Sequence, residues 1–170
     1  MVFHISHKIY QPGEIVSIKN YDGDSYYHQG LSPKYKDINK FLSDGKPKGM
    51  PARELCIYAF DDMAYCVYFM KNEIADGQNL HLYKCLMQEA CGHPMILVGK
   101  IANVKEEKWE ELRNEYWHPT KNWKVMEYMT EEIQIVEKLE ITGNLRTSSK
   151  IKGAVYYSDD VLIANKIINK

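Results

Sequence analysis

The chain has 170 residues and a formal net charge of −1, with 45% hydrophobic and 26% charged residues. That length suits one domain with a sizeable single core, and the composition is that of an ordinary globular protein. The near-neutral balance excludes a global basic field for holding nucleic acid, and no apolar run approaches the length needed to span a bilayer.

The first predicted element is a strand over Val2 to Ser6, with Phe3 and Ile5 on one face and His4 and Ser6 on the other. Pro12-Gly13 marks a turn, and Glu14 to Ile18 reads as a second strand. Asn20 to Gly30 is a polar, aromatic loop. Its Asp22-Gly23-Asp24 triplet lacks the spaced acidic ligands and closing glutamate of an EF-hand, so calcium is rejected. Ser32-Pro33 opens a helix with Tyr35, Ile38 and Leu42 on its apolar face, and Asp44 to Gly49 ends it in a candidate lid loop.

Leu55 to Phe60 is apolar apart from the Tyr58 hydroxyl and reads as a strand buried on both faces. It runs into a helix with Asp61 as N-cap and with Met63, Cys66, Val67 and Met70 on the buried stripe; Ala64, Tyr65 and Tyr68 lie off it. These aromatics suit the floor and wall of a ligand cleft, or, more simply, core and rim packing. Asp76-Gly77 closes the helix. Leu80 to Gln88 is expected to be a strand, Cys91 to Pro94 a turn, and Met95 to Val98 another buried strand.

Lys105 to Trp117 reads as a helix with Trp109, Leu112 and Tyr116 on its apolar side, a solvated acidic face and Pro119 as its stop. Trp123 to Met129 and Glu132 to Ile141 follow, the second an amphipathic strand with Ile133, Ile135, Leu139 and Ile141 on one face. Gly143-Asn144 breaks the chain, Arg146 to Lys150 is a polar linker, and Ser158-Asp159-Asp160 is expected to cap a last short helix carrying Val161, Ala164 and Ile168. Strands and helices without strict βαβ alternation predict a single α+β domain.

Cys56, Cys66, Cys85 and Cys91 include no CxxC pair, so they read as reduced thiols rather than zinc ligands, and no metal site is expected. The first residues lack the apolar core of a signal peptide, and a cytoplasmic location is expected. No GxGxxG, P-loop, GxSxG or HExxH motif occurs. What remains is a histidine on the first strand, a tyrosine on a middle strand and a glutamate on or before a late strand.

That order resembles the ADP-ribosyltransferase superfamily, and most closely its small rifampin ADP-ribosyltransferase-like bacterial domains. Phe3-His4-Ile5-Ser6 and Gly13-Glu14-Ile15-Val16 match the first two strand motifs. Ile57-Tyr58-Ala59-Phe60 with Met63-Ala64 matches the strand entering an alanine-containing helix, and Leu82-Tyr83 a later strand. The pattern also looks like that of an uncharacterised bacterial family assigned to this fold.

The resemblance implies two packed, mainly antiparallel sheets with flanking helices. Residues 1–143 would form the ADP-ribosyltransferase-like core and 144–170 an extension ending in a helix. It implies NAD as substrate, with His4 and Ser6 at a ribose, and Tyr58 with Tyr65 or Tyr68 at the nicotinamide side. A catalytic acid would steady the oxocarbenium-like transition state. Glu127 fits that position best, and Glu131, Glu132, Glu106 and Glu107 compete. The aspartate of the rifampin-type enzymes is absent, because no aspartate lies between Asp76 and Asp159. The acceptor would be a protein, a nucleic acid or a small molecule. The alternative is a catalytically degenerate member of the fold that binds a ligand or a protein partner. An RNA 2′-phosphotransferase relative ranks third, because Arg53, Arg113 and Arg146 are scattered.

Overall fold

The described part of the chain comprises residues 1–20, 31–63, 65–66, 69–70, 80–88, 91–140, 154–156 and 165–167 of a computed structural model. Val2–Ser6 forms strand β1 and Ile15–Ser17 forms β2. Gly13 makes the expected turn between them. It sits at φ +87°, which a Cβ would strain, and its N–H donates to the Ile135 carbonyl at 2.7 Å. Helix α1, Pro33–Asp44, begins where Ser32 and Pro33 place it, with Ser32 extended and proline in the first turn. It buries Ile38 and Leu42 completely, each stabilising by roughly 1.5–3 kcal/mol.

A 3-10 turn at Arg53–Leu55 leads into β3, Ile57–Phe60, in which every residue is buried. Leu55 is exposed, so the buried strand starts later than its apolar run suggests. The two aspartates after β3 divide their work differently from expectation. Asp62 Oδ1 accepts from the Tyr65 N–H at 2.7 Å and caps the helical residues at 63, 65–66 and 69–70. Asp61 instead accepts from the Met126 N–H at 2.9 Å.

The remaining strands are β4 (His81–Leu86), β5 (Gly92–Pro94), β6 (Met126–Thr130), β7 (Glu132–Leu139), β8 (Ala154–Tyr156) and β9 (Asn165–Ile167). Helices α2 (Ile96–Asn103) and α3 (Trp109–Trp117, preceded by a 3-10 turn at Glu106–Lys108) lie between β5 and β6. The strands form one seven-stranded sheet in the order β2-β7-β4-β1-β3-β6-β5, all neighbours antiparallel, and a separate β8–β9 ribbon.

One face of β3 and β6, with Tyr58 and Met129, packs under α1, α2 and α3 against Ile38, Leu42, Leu97, Ile101, Tyr116 and Trp117. Further along, Phe60 packs with Cys66, Met70 and Leu82. The opposite face gathers Val2, Val16, Ile57, Ala59, Tyr83, Ile133 and Ile135. A bulge between Lys84 and Cys85 leaves Val136 as an extra residue of β7, because Cys85 pairs with Ile135 and Lys84 with Glu137. That shift turns Leu139 to the face of Leu82, so Ile133, Ile135 and Leu139 do not share one face as their spacing predicts.

Several expectations are corrected. The α+β class holds, and the described strands form one seven-stranded antiparallel sheet and a two-stranded β8–β9 ribbon. Gly92–Pro94 is an edge strand rather than a turn; Pro94 is tolerated there because an edge leaves one side of the ladder unused. Met95 to Val98 is not a strand but the entry to α2. The short apolar run is compatible with either, and Leu97, Val98, Ile101 and Ala102 recur at helical spacing on the buried side. Asn165–Ile167 is strand β9 where a closing helix was expected, in a stretch rich in β-branched isoleucine. The predicted polar loop at 21–30, the linker at 146–150 and the Ser158 cap lie outside the described residues. No helix among the described residues is long and apolar enough to cross a membrane.

Candidate functional site

Beside the start of β3 lies a buried polar cluster centred on Arg53. Arg53 is 0% and Glu127 1% exposed. Arg53 Nη1 donates to Glu127 Oε1 at 2.5 Å and Nη2 to Oε2 at 3.5 Å. Arg53 Nε donates to Asn39 Oδ1 at 2.9 Å, its backbone N–H to Ser43 Oγ at 2.9 Å, and Nη1 also to the Tyr116 hydroxyl. The Ser43 hydroxyl in turn donates to Glu54 Oε2 at 2.7 Å. The Tyr116 hydroxyl donates to Glu127 Oε1 at 2.5 Å. The guanidinium lies between two tyrosine rings, 5.2 Å from the Tyr58 centroid and 5.1 Å from that of Tyr116.

The cluster is built from one residue type per task. Asn39 and Ser43 are one helical turn apart on the buried side of α1, Tyr116 ends the apolar stripe of α3, and Glu127 is the inward residue of β6. Burial alone would lower the Arg53 pKa. The opposed Glu127 carboxylate overrides it and holds the guanidinium charged, well above its ordinary range. Burial pushes the Tyr116 hydroxyl well up, so it stays a neutral donor. Burial likewise raises the Cys56 thiol to about 12, leaving it an unreactive donor to the Ala52 carbonyl at 2.9 Å.

The predicted site residues meet this cluster unevenly. Tyr58 belongs to it, but its hydroxyl donates to the Arg53 carbonyl and points into the core. Glu127 is an interior ion-pair partner rather than an acid lining an open cleft, because α1, α2 and α3 cover its face of the sheet. His4 lies on β1 beside β3, its Nδ1 2.7 Å from the Tyr58 carbonyl. A carbonyl only accepts, so Nδ1 carries the proton; burial lowers the His4 pKa and this bond opposes the shift. By strand alternation His4 shares the face of Val2, opposite to Tyr58 and Glu127. Ser6 Oγ accepts from the Lys8 N–H at 3.1 Å and closes its own turn. Tyr65 packs on the Phe60 ring at 5.1 Å. The structure therefore joins His4 to the Tyr58 backbone and Tyr58 to Glu127 through Arg53, and leaves Ser6 and Tyr65 in separate settings. Glu106, Glu107, Glu131 and Glu132 are all exposed.

A surface cleft of about 160 Å³ lies elsewhere, lined by Gly45, Glu110, Arg113, Asn114, Trp117 and His118, and includes none of these residues. Among the described residues no group of three or more His, Cys, Asp or Glu side chains is placed to hold a metal ion. Sequence reading missed Arg53, Asn39 and Ser43. The available signal was two polar residues, spaced i and i+4, beside the apolar stripe of α1. A scan against protein-family models and a comparison with curated proteins find no match for this chain.

Proposed function

We propose that this chain is a ligand- or protein-binding domain that keeps an ADP-ribosyltransferase-like strand layout without transfer chemistry at Glu127. The observation carrying the reading is the state of that carboxylate. It is 1% exposed, ion-paired to Arg53 and hydrogen-bonded to Tyr116, so both of its oxygens are committed to the interior. An acid that steadies a developing ribose cation must face that ribose. The test is incubation of the purified chain with millimolar NAD, following nicotinamide release. The expected result is release no faster than without protein. Release that disappears in Glu127→Gln, with that variant still folded, would overturn the reading.

One observation favours the transferase alternative. Strands β1, β3 and β6, which carry His4, Tyr58 and Glu127, are consecutive neighbours in the sheet. In that reading NAD binds on the Tyr58 face of the sheet once Arg53 yields Glu127, and His4, on the opposite face, supports the site through its bond to the Tyr58 carbonyl. Calorimetric titration with NAD, in wild type and His4→Ala, addresses it. Saturable binding weakened by the substitution supports the transferase, and absence of binding at millimolar NAD removes it.

A further inference from the structure

His93 is the middle residue of β5, a three-residue edge strand whose sheet partner is β6. Its side chain is 3% exposed. Nδ1 lies 3.1 Å from the Tyr116 carbonyl oxygen, which can only accept, so Nδ1 carries the proton. Nε2 is then a bare lone pair, and it is buried with no hydrogen-bond partner among the described residues. The ring is stacked on Tyr116 at 5.1 Å and meets the Trp117 ring edge-on at 4.8 Å.

A second proton on this ring would sit at Nε2 with no acceptor. The charged and titratable groups around it are Glu127, its pairing partner on β6, Tyr116 on α3, His118 just beyond α3, and Arg53 before β3. Arg53 and His118 oppose a new positive charge. Glu127 favours one, but its Oε1 already accepts from both Arg53 and Tyr116. The closed arrangement thus has a place for neutral His93 and none for the charged ring.

We propose that protonation of His93 at mildly acidic pH unlatches β5 from β6 and from the Tyr116–Trp117 rings, an acid-operated opening that admits water to the Arg53–Glu127 pair. Burial holds His93 below its ordinary value of 6.5 in the closed form, whereas the open form titrates in water. Opening therefore takes up a proton. The closed form keeps its full advantage above about pH 6.5 and loses it as pH falls, by up to about tenfold per pH unit.

Hydrogen exchange of the full chain tests this, with rates corrected for their intrinsic pH dependence. Segments 91–95 and 125–130 are followed between about pH 7.5 and 5.5, with segment 132–139 as reference. Protection of the first two segments is expected to fall up to about tenfold between about pH 6.5 and 5.5 while staying below that of the reference, which reports global unfolding. In His93→Phe, which keeps the ring stack without the titration, the fall disappears. Steady protection of segment 91–95, or a fall that persists in His93→Phe, overturns the proposal. Should that variant fail to fold, imidazole nitrogen NMR of the wild type decides: the His93 ring must stay in the Nδ1–H neutral form wherever segment 91–95 is protected, and a ring that becomes charged while that segment keeps its protection overturns it. His4 also sits below its ordinary value, but it lies on β1 between β4 and β3, so its titration would loosen the centre of the sheet instead.

Discussion

Arg53 sets most of what happens at the scale of single residues. Six of its bonds end on buried side chains of α1, α3 and β6. Removing one partner of such a pair strands a buried charge, whereas replacing both by apolar groups of similar volume does not. Glu127→Ala is therefore expected to destabilise the fold by about 3–5 kcal/mol in urea denaturation, and the double variant Arg53→Met with Glu127→Leu by clearly less. A single variant that loses under about 1 kcal/mol would show that water already reaches the pair. The sequence marks Glu127 as an unusual acid early in a late strand. It does not mark the partner, because Arg53 and Glu127 are 74 positions apart and only the sheet brings β3 beside β6.

At the scale of elements, local chemistry was legible where caps and turns act. Ser32-Pro33 starts α1, Pro12-Gly13 makes the turn before β2, and the alternation of Val2 to Ser6 marks β1. Legibility failed where the choice is tertiary. Met95 to Val98 has the composition of a buried strand, yet it folds as α2 because a helix there covers Tyr58 and Met129. The caps are open to test. Asp62→Ala should cost about 1 kcal/mol by removing the acceptor for Tyr65, and a thermal melt will show it. Gly45 holds a different constraint. A Cβ there would collide with the Arg113 side chain, which lies over Phe41, its guanidinium carbon 4.4 Å from the ring centroid, and donates to the Phe41 carbonyl at 3.3 Å. Gly45 has φ −101°, so its backbone tolerates alanine. Gly45→Ala should therefore destabilise by about 0.5–1.5 kcal/mol through Arg113 alone, and Arg113→Ala should make the two substitutions non-additive.

For the whole molecule, pH is the variable that the buried histidines couple to folding. His4 and His93 are both held below their ordinary value by burial, each opposed by a bond to a backbone carbonyl. The unfolded chain takes up protons below about pH 6.5 that the folded chain refuses, so stability is full above that pH and falls below it. The expected slope is up to about 1.4 kcal/mol per pH unit for each histidine, read from urea midpoints between about pH 7.5 and 5.5. Substituting both histidines should flatten it, and an unchanged slope would assign the loss to other groups. The α+β class was legible in the unalternating run of elements, whereas the single sheet and its order depend on pairings such as β2 with β7 that no local pattern announces.

The Arg53 cluster also bears on how the chain is made. Its members stand at positions 39, 43, 53, 58, 116 and 127, so the last of them leaves the ribosome long after the first. A nascent chain ending near Trp117 already carries α1, β3 and α3 but not the carboxylate that neutralises Arg53. Closing the helices over the sheet at that length would bury a lone cation, and the incomplete chain has reason to stay open until β6 has emerged. Arrested chains of increasing length should therefore gain protease resistance abruptly once residue 129 is free of the exit tunnel, rather than helix by helix.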